Sequence, residues 1–143
     1  MSVLFFCNKT SGGDIMKKIL VIFDSSDMLT VLREFFKQYG LFGLFAMEKK
    51  RGLEFFEENR EEIKVVIIGT CSPEMMGLEL AAEIKKLNSS VYVILIGAND
   101  DAEFTKEVMK NLEAEDPCIN DFRAIPFSSS EFTESLKNTL QKM

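Results

Sequence analysis

Few side chains in this chain could do chemistry. They are Asp24 and the serines that follow it in the run DSSD (24–27), Cys71 in the loop TCSPEMMG (70–77), and the distant thiols Cys7 and Cys118. Histidine is absent, so the commonest general base and transition-metal ligand is missing and no Ser-His-Asp or Cys-His nucleophile can be assembled. Asp24 ends an apolar run, where a carboxylate could face a cation or cap the next helix. Mg²⁺ wants several hard oxygens, and a lone aspartate at a strand-to-helix turn commonly bonds its own backbone. No metal and no cofactor is therefore expected, Mg²⁺ at Asp24 included. Cys71 precedes a helix and could gain thiolate character there, against the plainer reading that an isolated cysteine packs as a small apolar group. Three widely spaced cysteines suit reduced thiols in a cytoplasmic protein better than a disulfide framework.

The elements that must position these groups are legible from hydrophobic spacing. With 143 residues, 46% of them hydrophobic and 28% charged, the chain can bury one core and resembles no disordered composition. Five apolar runs read as strands: residues 19–23, 41–47, 64–69, 91–97 and 122–125. KVVIIG and VYVILIG are continuous and β-branched, as strands covered on both faces are. Between and after them, apolar residues recur at helical spacing: Leu29, Leu32 and Phe36, closed by Gly40; Leu53 and Phe56; Leu80, Ile84 and Leu87; Phe104, Val108 and Leu112; Phe132, Leu136 and Leu140. Ser25, Ser26 or Asp27 can cap the first helix. Five β–α units with right-handed crossovers give an α/β, doubly wound parallel sheet whose crevice lies outside the carboxyl ends of the strands.

Residues 1–15 hold a short apolar run (3–7) and a polar stretch with two glycines, and are expected to form a tail outside a domain of residues 16–143. The run is too short for a signal peptide core, and no segment is long enough to span a membrane. A net charge of −6 without a basic run argues against nucleic acid as a partner.

The loop PEMMGLEL (73–80) resembles that of the response-regulator receiver domain family, with Pro and Gly spaced as that family has them after its third strand, and the likeness runs from about Lys17 to the end. It implies a flavodoxin-like doubly wound (βα)5 three-layer sandwich with parallel sheet order 2-1-3-4-5. It also implies a phosphoryl-transfer pocket of acid pair, phosphoacceptor aspartate, hydroxyl and lysine. The matching positions here are Phe23 and Asp24, Gly69, Gly97 and Ile125, so only Asp24 keeps its chemical type. The resemblance thus implies a pseudo-receiver without aspartyl phosphorylation, acting in signal transduction on a protein partner through the surface of the fourth helix, fifth strand and fifth helix. Phe104, Phe122 and Phe127 are its candidate residues. One of Phe55 and Phe56 is expected to be exposed, since neighbours on a helix point apart. The alternative is a small-ligand sensor using a hollow left between Asp24, Gly69 and Gly97, unless Phe23 and Ile125 fill it. The acidic, Pro-containing stretch 113–121 reads as an enlarged loop, a common place for recognition.

Overall fold

The computed structural model describes residues 18–69, 75–98, 102–125 and 129–141. Cys7, Cys71 and Phe127, like the side chain of Ile125, lie outside the described residues. The order is β1 (Lys18–Phe23), α1 (Ser26–Tyr39), β2 (Phe42–Ala46), α2 (Lys49–Glu58), β3 (Ile63–Gly69), α3 (Met75–Leu87), β4 (Tyr92–Ala98), α4 (Ala102–Glu113), β5 (Asp121–Ile125) and α5 (Ser129–Gln141). All strands pair in parallel, in the order β2-β1-β3-β4-β5.

Successive strand side chains point to opposite faces, and here both sets are apolar. Leu20 and Ile22, Val66 and Ile68, and Val93 and Leu95 pack with Phe55, Phe56, Ile84, Phe104 and Val108 from α2, α3 and α4. Ile19, Val21 and Phe23, Val65 and Ile67, and Ile94 and Ile96 pack with Leu32, Phe36, Phe132 and Leu136 from α1 and α5. The continuous apolar runs are the direct consequence of covering both faces.

Local chemistry sets where α1 begins and ends. Ser25 is extended and its hydroxyl accepts from the Met28 N–H at 3.3 Å, which singles out Ser25 among the candidate caps. At the other end Gly40 adopts φ 70°, and the Leu41 N–H reaches back to the Phe36 carbonyl at 2.9 Å, the left-handed close that glycine makes without strain.

The expectation for Phe55 and Phe56 is corrected: both are buried. A Cβ on Gly52 would lie 2.6 Å from Ile22 Cγ1. The bare glycine lets α2 sit close on β1, so a wide arc of the helix, Gly52, Phe55 and Phe56, faces the sheet. The Arg51 guanidinium then covers the Phe55 ring, 4.7 Å from its centroid.

Candidate functional site

At the carboxyl end of the central strands, Phe23 and Gly69 stand side by side in the β1–β3 register. Both belong to the set of strand positions facing α1 and α5, and Phe23 is fully buried there. Its ring lies over the Gly69 Cα: a Cβ built on Gly69 would come within 2.6 Å of Phe23 Cζ, with other ring atoms nearer still. Any side chain at 69 would have to displace a buried aromatic ring from a densely packed core.

Gly97 belongs to the opposite face, with Val93 and Leu95. A Cβ there would meet Phe104 Cε2 at 3.2 Å and Phe122 Cε1 at 3.7 Å. The two rings meet edge to face, centroids 6.0 Å apart, a favourable aromatic geometry. Gly69 and Gly97 therefore do not open on one shared hollow, because strand alternation sends their missing side chains to different sides of the sheet. A different aromatic group covers each.

Phe104 needs correction as a candidate surface residue. It is 1% exposed, since it supplies the ring over Gly97 and cannot also face a partner. Phe122 is half-buried against it. Ile125 closes β5 in register with Ala98. Asp24 follows β1 directly and is exposed. Among the described residues no group of three His, Cys, Asp or Glu side chains is placed to hold a metal ion. A Mg²⁺ site of the receiver type does not fit the residues present, since an aromatic ring occupies the place of one carboxylate and covers the backbone where another would stand.

Several organising residues escape sequence reading. Asp121 and Arg123 pair at 3.0 Å along one face of β5. Arg123 also donates to the Ser135 hydroxyl at 3.2 Å, and its guanidinium lies 5.6 Å from the Phe132 ring centroid, tying β5 to α5. Opposite charges two apart in a strand were the available signal. The long connection before β5 is held by two asparagines. Asn111 accepts from the backbone N–H groups of Cys118 and Ile119 at 2.9 and 3.1 Å. Asn120 exchanges bonds with Val93, backbone N–H to carbonyl at 2.7 Å and side-chain oxygen from N–H at 2.9 Å. Beside it, burial lowers the Lys85 ammonium pKa below its usual value, although the group donates to the Val91 carbonyl at 2.8 Å. No described helix is long and apolar enough to cross a membrane.

The chain matches the family model "Response regulator receiver domain" over residues 19–120. A response regulator receiver domain protein from Clostridium thermocellum is similar at 26% identity and TM-score 0.73, over 89% of this chain and 96% of that one. A CheY-like receiver domain protein from Methanospirillum hungatei aligns at 19% identity and TM-score 0.71, over 89% and 95%. An orphan response regulator of H. pylori aligns at 16% and 0.69, over 85% and 94%. The latter two speak for the fold alone. With the sheet order, the helices on both faces and the matched residues in agreement, the chain belongs to the response regulator receiver domain family, whose members serve signal transduction in two-component systems.

Proposed function

We propose that this domain is a pseudo-receiver, a noncatalytic regulatory module that binds a protein partner without being phosphorylated on aspartate. The observation carrying the reading is the buried Phe23 ring on Gly69. A glycine cannot form an acyl phosphate, and the ring fills the volume that any side chain at 69 would need. A charged lysine among such groups would lack partners, so an apolar residue at 125 is the consistent companion.

The surface proposed for the partner is that of α4, β5 and α5. α4 carries the half-exposed Met109 with exposed Lys106 and Lys110, and Arg123 holds β5 and α5 together. Incubation with acetyl phosphate, or with beryllofluoride and Mg²⁺, is expected to leave the intact mass and the amide spectrum unchanged. A stoichiometric adduct would overturn the proposal.

A further inference from the structure

A groove of about 600 Å³ runs between α2 and α3, lined by Lys49, Lys50, Leu53, Glu57, Glu83 and Leu87 among others. None of the strand-end candidates lines it, so its occupancy is independent of the proposed function. Its floor is apolar: Leu53 and Leu87 are half-buried and pack on the core cluster beneath. Its rim is of mixed sign, with Lys49 and Glu83 paired at 2.8 Å. A rim holding both lysines and glutamates favours neither a strongly acidic nor a strongly basic occupant, and covering the leucines removes apolar surface from water.

The place where the chain enters the fold identifies an occupant. α2 and α3 both run back from the carboxyl ends of the strands, so Glu57 and Leu87 mark the groove's mouth at the end of the sheet where Lys18 begins β1. β1 is one of the strands on which α2 packs. Upstream of Lys18 the sequence holds the apolar run VLFFC (3–7), which has no charged side chain. Residues 8–17 separate it from β1 and reach up to ~35 Å when extended. The groove from Lys49 to Glu57 is only about 12 Å long at the helical rise per residue. Tethered so closely, the run sits at an effective concentration on the order of millimolar.

We propose that residues 3–7 dock in the α2–α3 groove and lay their apolar side chains over Leu53 and Leu87, instead of standing clear of the fold. The test uses the full chain and its F5S/F6S variant, followed by amide hydrogen exchange and by the methyl resonances of Leu53 and Leu87. In the unmutated chain, residues 3–7 are expected to exchange about tenfold or more slowly than a free peptide. F5S/F6S abolishes that protection and shifts both methyl resonances. Leu53→Lys, changed on the groove side, abolishes the same protection. Free-peptide exchange rates in the unmutated chain overturn the proposal, as does protection that vanishes on dilution, which would make a second copy the occupant. Methyl resonances unmoved in F5S/F6S overturn it too.

Discussion

The two glycines at the strand ends invite comparison, because each is a position that the sequence resemblance matches to a reactive side chain and each lies beneath aromatic rings. The rings differ in how tightly they close. Phe23 lies so near Gly69 that a Cβ would overlap it, whereas Phe104 leaves a Cβ on Gly97 at 3.2 Å, tight but open to a shift of a few tenths of an ångström. The β3 position is thus sealed by a neighbour in the same sheet, fixed by strand register, while the β4 position is covered by a ring from α4 that would need to shift by only a few tenths of an ångström. A side chain at 69 is thus excluded by the packing of the core itself, whereas one at 97 meets a single tight contact.

Substitutions can break that distinction or sharpen it. The largest effect is expected for Gly69→Asp, which must both displace Phe23 and desolvate a carboxylate. Urea unfolding should show a loss of about 3 kcal/mol or more, and a loss under about 1 kcal/mol would mean the ring is not confined. Gly69→Ala, which adds only the offending Cβ, should cost about 1–3 kcal/mol alone. Combined with Phe23→Leu it should cost clearly less, giving a coupling of at least about 1 kcal/mol in a double-mutant cycle. Additive effects there would show that Phe23 is not what excludes a side chain at 69. Gly97→Ser should cost less than about 1 kcal/mol, since a Cβ there asks Phe104 for a shift of only a few tenths of an ångström, and a cost equal to that of Gly69→Ala would erase the contrast.

The smallest effect concerns the start of β4, away from both glycines. Burial first, and the negative charge of Asp121 second, raise the Tyr92 phenol above its ordinary value, with Arg123 opposing. The folded state then holds the phenol proton more tightly than the unfolded state does. The resulting stability is fully present below about pH 10 and is lost as pH rises through the raised folded value. Tyr92→Phe should therefore lose less stability than the unmutated chain between about pH 9 and pH 11, measured by urea midpoints. An identical decline in the two proteins would refute this.

Much of the fold was legible because covering both faces of a parallel sheet forces continuous apolar strands, and helices on those faces need apolar residues three and four apart. The five runs and five stripes were sufficient for that. The candidate positions came from matching alone, and that matching said little of their surroundings. Sequence placed Phe104 on a surface, yet its ring closes over Gly97. It expected one of Phe55 and Phe56 to be exposed, yet Gly52 draws α2 down until both are buried. Spacing along one element says which side a residue takes, while how deep that side goes depends on how closely a second element approaches.

By itself the sequence determined the α/β alternation, the receiver-type scaffold and the absence of histidine chemistry, because these depend on residue types and local periodicity. Only the tertiary structure decided that Phe23 seals Gly69, that Gly97 opens to the other face of the sheet, and that Arg123 binds β5 to α5. Those facts follow from strand register and helix approach, which are set by contacts between residues far apart in the chain. No reading along the sequence contains them.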